Sequence, residues 1–118
     1  MKSGTTYNSI LGQTLRQLRE KKNKKQDDMA NLLGITQASW SRIERGDTTL
    51  SVIQLDKIAK NLGETSSSIL EIADKVRKDI ESKGFKVVTN IPKENEQAIA
   101  FLALTFLAVC VLAAMNSK

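Results

Sequence analysis

Glycines at positions 34, 46 and 63, each closing a short stretch of apolar residues at helical spacing, constrain this chain more than any other feature. Glycine takes the left-handed backbone conformation at a helix end without steric cost, so each of them stops a helix where it stands. Upstream, Ile10, Leu11, Leu15 and Leu18 recur at helical spacing, and nothing from Gly12 to Lys22 breaks that pattern. The run Lys21-Lys22-Asn23-Lys24-Lys25 closes this first helix with cations at the negative end of its dipole. A second helix has Met29, Ala30, Leu32 and Leu33 as its apolar face and Asp27 and Asp28 in its first turn, and Gly34 ends it. Thr36 is placed to cap a third helix, about 37–45, through its hydroxyl. Beyond Gly46 and the turn Asp47-Thr48-Thr49, a fourth helix carries Leu50, Ile53, Leu55, Ile58, Ala59 and Leu62. The first 63 residues thus read as four short helices, each ended by glycine or a polar turn.

The positive charge of the chain lies in the same half. Of 118 residues, 18 are Lys or Arg and 13 Asp or Glu, a net +5. Residues 1–63 hold 11 basic and 6 acidic side chains, whereas 64–118 hold 7 of each. The natural partner of such a head is a polyanion. With 41% apolar residues the chain has the material for a core, which excludes wholesale disorder. No histidine is present and Cys110 is the only cysteine. That excludes Ser-His and Cys-His nucleophile pairs, imidazole ligands, multi-Cys zinc sites and an intramolecular disulfide framework. The glycine-containing stretches form neither a Walker-type loop nor a dinucleotide fingerprint. The carboxylates are scattered over helix faces. No enzyme, cofactor, metal or small-molecule substrate is expected, and the polar start, residues 1–6, has no apolar core of a signal peptide.

The second half is organised differently. Glu64-Thr65-Ser66-Ser67-Ser68 opens an amphipathic helix, 66–83, with Ile69, Ile72, Val76 and Ile80 on one stripe, a candidate dimerisation surface. Residues 84–97 read as a linker. It contains a short strand, 85–88, that needs a pairing partner, such as its own copy in a dimer. Residues 98–115 carry no charge, and only Thr105 has a clearly polar atom. As a helix this run is about 27 Å long at 1.5 Å per residue, against roughly 30 Å of bilayer hydrocarbon. The expectation is a membrane-anchoring, transmembrane helix that leaves the basic head on the cytoplasmic side of the membrane. A buried dimerisation helix in a cytoplasmic protein is the other reading. Cys110 is expected to act as a small hydrophobe.

Two helices joined by a tight, glycine-containing turn match the helix-turn-helix pattern, and the residues sharpen that match. The stretch from Lys25 to Gly46, KQDDMANLLGITQASWSRIERG, resembles the Xre/Cro/C1 family of phage-repressor-like domains. Leu-Arg-Gln-Leu-Arg-Glu at 15–20 is similar to the family's first helix, and Leu55-Asp56-Lys57-Ile58-Ala59-Lys60-Asn61-Leu62-Gly63 to its fourth. The resemblance covers residues 8–70. It implies an all-α, lambda-repressor-like bundle of about five short helices, to which the C-terminal apolar helix is added. It also implies that the third helix enters the major groove of double-stranded DNA, where each base pair shows its own donor and acceptor pattern.

By this resemblance Gln37, Ala38 and Arg42 face the bases, and their chemistry agrees. Gln pairs bidentately with adenine, Arg with guanine, and Ala touches a thymine methyl. Ser41 is within reach of a base and Ser39 of a phosphate. Gln26 matches a family glutamine that meets a phosphate at the N-terminus of the second helix. Arg45, Thr48 and Thr49 anchor the other side of the site, and Lys24 and Lys25 add phosphate contacts that make binding salt-dependent. Arg19 and Glu44 match positions that form a structural ion pair in relatives, and Trp40 matches an apolar core position. One departure is that Lys25 stands where the family usually has a Ser, Thr or Asn cap. The function implied is a transcriptional regulator, a repressor binding a two-fold operator as a homodimer, because one helix contacts few base pairs. The alternatives are a membrane-anchored helix-turn-helix module that binds a protein, and the antitoxin of a toxin–antitoxin pair.

Overall fold

The computed structural model describes residues 3–88, 100–101 and 104–116. Six helices occur among them: α1 (Tyr7–Lys21), α2 (Gln26–Leu33), α3 (Gln37–Glu44), α4 (Val52–Asn61), α5 (Ser66–Ser82) and α6 (Leu104–Asn116). Side-chain hydroxyls set where the helices begin. Thr6, Thr36, Ser51 and Thr65 each accept the backbone N–H three residues on, at 3.0–3.1 Å, and so pair donors that the first turn would otherwise leave open. Gly34, with φ of 67°, ends α2 and lets the chain turn at once into α3. The helical bundle expected from sequence is therefore present.

Three short strands join it: β1 (Ser3–Thr6), β2 (Lys86–Val88) and β3 (Ala100–Phe101) form a parallel sheet in the order β2-β1-β3. Gly4 pairs with Lys86, Thr5 with Val87 and Thr6 with Val88 on one side of β1, and Ser3 with Ala100 on the other. The 85–88 segment thus finds its partner in the N-terminus of its own chain. The rest of the expected linker, 89–97, lies outside the described residues.

Two apolar clusters share α1 as their common wall. In the first, Leu11, Leu15 and Leu18 pack with Met29, Trp40, Ile43, Leu55, Ile58, Leu62 and Ile69. In the second, Ile10 meets Ala73, Val76 and Ile80 of α5 and Leu107, Cys110 and Val111 of α6. Ile69, Val76 and Ile80 of the α5 stripe are fully buried inside the chain, and Ile72 is partly buried. Phe85 and Phe106 close this cluster in an edge-to-face pair, with centroids 5.7 Å apart.

The tail requires a correction. The apolar helix expected over 98–115 begins only at Leu104, after Ala100–Phe101 has paired as a strand; residues 98, 99, 102 and 103 lie outside the described residues. With 13 residues, α6 is about 20 Å long, and no described helix is long and apolar enough to cross a membrane. Leu107 and Val111 are completely buried against α1 and α5, while Val109 and Leu112 on the other side of α6 are exposed. Apolarity alone could not distinguish a helix surrounded by lipid from one laid against other helices.

Candidate nucleic-acid interface

The third helix is divided lengthwise. Trp40, Ile43 and Glu44 turn inward and are buried, while Gln37, Ala38 and Arg42 are exposed and Ser41 is partly so. The helical repeat puts positions 37, 38, 41, 42 and 45 on one face. The exposed face therefore holds an amide, a methyl, a hydroxyl and two guanidinium groups in a row. No ion pair engages Arg42 among the described residues, whereas Arg45 meets Asp47 at 3.4 Å.

The buried face is fixed by a carboxylate. Arg19 of α1 and Glu44 form the expected ion pair, with Nε 2.6 Å and Nη2 3.2 Å from the two carboxylate oxygens. The indole Nε1–H of Trp40 donates to Glu44 Oε2 at 2.5 Å, and Gln26 Nε2 donates to Oε1 at 2.9 Å. Arg19 Nη1 also donates to the carbonyl of Lys24, which ties the lysine turn to the same centre. The close approach of α1 to α3 depends on Gly12. A Cβ at that position would stand 2.5 Å from the carbonyl oxygen of Glu44.

Gln26 and Gln37, separated by the turn of the motif, are joined directly: Gln37 Nε2 donates to Gln26 Oε1 at 2.5 Å. Both ends of the Gln26 amide are thus engaged by protein, and one of its N–H groups makes no bond among the described residues. These two glutamines, with Arg19, Lys25 and Asp27, line an open hollow of about 400 Å³ at the start of α2. Lys25 is exposed and Lys24 half-buried. The missing cap at Lys25 is replaced from within the helix, because Asp28 Oδ2 accepts the Lys25 backbone N–H at 2.8 Å. Ser39 accepts from the Thr36 hydroxyl at 2.9 Å, so its oxygen is already shared with the cap.

Thr48 and Thr49 are exposed on the loop behind α3. Asn8 at the start of α1 donates to the Thr49 hydroxyl at 3.0 Å, and Gly46, with φ of 80°, presses against the backbone of Ser9. Asn8 and the Gln26–Gln37 link had no sequence signal, since both depend on segments meeting across turns. The Trp40–Glu44 bond did have one, the four-residue spacing that places both side chains on one helix face.

Residues 10–66 match the helix-turn-helix domain family. The chain carries a helix-turn-helix domain. No curated protein matches the sequence. Among solved structures, the chain is similar to the clp gene regulator ClgR from Corynebacterium glutamicum, with 22% identity and a TM-score of 0.62 over 66% of this chain and 83% of that one. It is also similar to the restriction-modification controller protein C.AhdI from Aeromonas hydrophila, with 30% identity and a TM-score of 0.48 over 52% of this chain and 92% of that one. The ClgR likeness is one of fold alone.

Proposed function

We propose that this protein is a sequence-specific DNA-binding transcriptional regulator, a repressor that reads the major groove with α3 and acts as a homodimer. The observation that carries this reading is the exposed row of Gln37, Ala38, Ser41 and Arg42 on a helix whose other face is locked by Trp40, Ile43 and Glu44. Gln37 takes adenine, Arg42 takes guanine, Ala38 touches a thymine methyl and Ser41 reaches a base edge. Ser39 on α3, with Gln26, Lys24, Lys25, Arg45, Thr48 and Thr49 around the helix, holds the phosphates, which fix register without reading sequence. Two copies on a two-fold operator, with recognition helices about 34 Å apart, supply the specificity that one helix lacks. Repression needs only that a site be occupied, whereas activation needs a further contact with polymerase.

The test is selection of genomic fragments by the full-length protein. An enriched two-fold motif is expected, and Arg42→Ala and Gln37→Ala are each expected to lose about 1–3 kcal/mol of discrimination at one position of it. Lys25→Ala should weaken all duplexes alike and lower the salt slope by about one. Sedimentation of the protein on the enriched duplex should give two chains per site. Failure to enrich any motif at low salt would sink the reading.

A further inference from the structure

The buried carboxylate of Glu44 does more than pair with Arg19, because its hydrogen bonds have a direction. A carboxylate accepts and cannot donate, whereas a side-chain amide does both, with nitrogen at one end and oxygen at the other. Gln26 faces Glu44 and must therefore turn its NH2 inward, which is the 2.9 Å bond from Nε2 to Oε1. That turns Gln26 Oε1 toward Gln37, and a carbonyl oxygen also only accepts. Gln37 must in turn present its own NH2 there, at 2.5 Å. One N–H of Gln37 is thereby committed, and the other N–H and Oε1 of this exposed residue make no bond to protein among the described residues.

We propose that Glu44 is a specificity-determining residue that acts through Gln26, fixing which way round the Gln37 amide is offered to a base. Arg19 and Trp40 make this setting rigid: they donate to the same carboxylate from α1 and α3 and keep it 4% exposed, so it cannot swing away. The polarity passes from a charge to an exposed amide through two hydrogen bonds. An outward pair of one acceptor and one donor matches the N6–H and N7 of adenine. Without the carboxylate either amide could turn over, and Gln37 would offer its atoms in either order. The proposal rests on the DNA-reading function proposed above and adds a residue that touches no base.

The experiment uses the full chain and the duplex selected above, with each of the four base pairs placed in turn at the position where Gln37→Ala abolishes preference. Wild type should prefer adenine there. Glu44→Gln, which keeps the shape of Glu44 but can donate as well as accept, should lower that preference about tenfold while leaving the preference at the Arg42 position within about twofold. Gln26→Leu breaks the link without touching the Arg19–Glu44 pair and should remove the same preference; it carries the test if Glu44→Gln does not fold by circular dichroism. An unchanged adenine preference in a folded variant overturns the proposal, as does an equal loss at every position or a wild-type preference for another base there. If wild type selects no motif, it is the DNA-reading function that has failed.

Discussion

The cores on the two sides of α1 are built from different interactions. Around Trp40 the aliphatic packing is threaded by a polar centre, in which Glu44 accepts from Arg19, Trp40 and Gln26. Around Ile80 the buried side chains are Ile10, Ala73, Val76, Leu107, Cys110 and Val111, with no such centre among them. Burial pushes the Cys110 thiol up, helped by the Asp79 charge and opposed by Lys83, so the thiol stays protonated and inert. Hydrophobic burial is non-directional, and it holds α6 in place without fixing any side chain to a fraction of an ångström. A charged hydrogen-bond centre is directional and costly to disrupt. The directional core is therefore the one beneath the face proposed to read DNA, and the other serves as its support.

The largest effect should come from removing the polar centre. Glu44→Ala leaves the buried guanidinium of Arg19 unpaired and the Trp40 N–H without an acceptor, for an expected loss of about 4 kcal/mol. Urea unfolding followed by Trp40 fluorescence measures it directly, since Trp40 is the only tryptophan. A loss below about 1 kcal/mol would mean that the two cores do not differ in the way described.

Leu107→Ala tests the other side of α1. Truncating a fully buried leucine creates a cavity and should cost about 3 kcal/mol. Trp40 lies in the opposite cluster, so its unfolding midpoint should shift only if the two cores unfold as one unit. An unmoved Trp40 midpoint, with helix loss at lower urea by circular dichroism, would separate α6 from the cooperative fold.

The same contrast explains what could be read from the chain. The helix-turn-helix half is punctuated locally: Gly34 and Gly46 end helices, and Thr36 and Ser51 start them. Its exposed row followed from helical spacing together with the family resemblance. The C-terminal half depends on pairings that leave no local mark. Ser3-Gly4-Thr5-Thr6 has no apolar alternation, yet it forms the central strand of the sheet, because Lys86–Val88 and Ala100–Phe101 come to it from far along the chain. The uniform apolarity of 98–115 matched a membrane span equally well, and only the surfaces of α1 and α5 decide what covers α6. The link from Glu44 through Gln26 to Gln37 was hidden for a related reason: its members are 18 and 11 residues apart.

A smaller effect is expected at the start of α2. Asp28→Ala removes the acceptor for the Lys25 backbone N–H and a carboxylate from the positive end of the helix dipole. About 1 kcal/mol of stability should be lost. Because α2 carries Gln26, binding to the selected duplex should weaken with it. Asp28→Asn, which keeps the acceptor oxygen, should recover most of both, and equal effects from the two substitutions would place the contribution in the charge alone.

The smallest effect lies at the edge of the second core, where the only polar links between α1 and α5 among the described residues are made. Tyr7 donates its hydroxyl to Asp74 Oδ1 at 2.8 Å, and Arg77 stacks over its ring at 5.0 Å while meeting the same carboxylate at 3.1 Å. Burial first, then the hydrogen bond and charge of Asp74, push the Tyr7 hydroxyl up to about 12 from an ordinary value of 10.0, with Arg77 pulling the other way. The fold thus holds this proton more firmly than the unfolded chain does. The stabilisation is complete below the ordinary value and is lost as the pH climbs through about 12. Tyr7→Phe has no such proton, so its melting temperature should fall less steeply than that of wild type across this window. Every other side chain is common to the two proteins, so the difference between the two slopes isolates Tyr7. Parallel slopes would mean that the Tyr7–Asp74 bond does not couple α1 to α5.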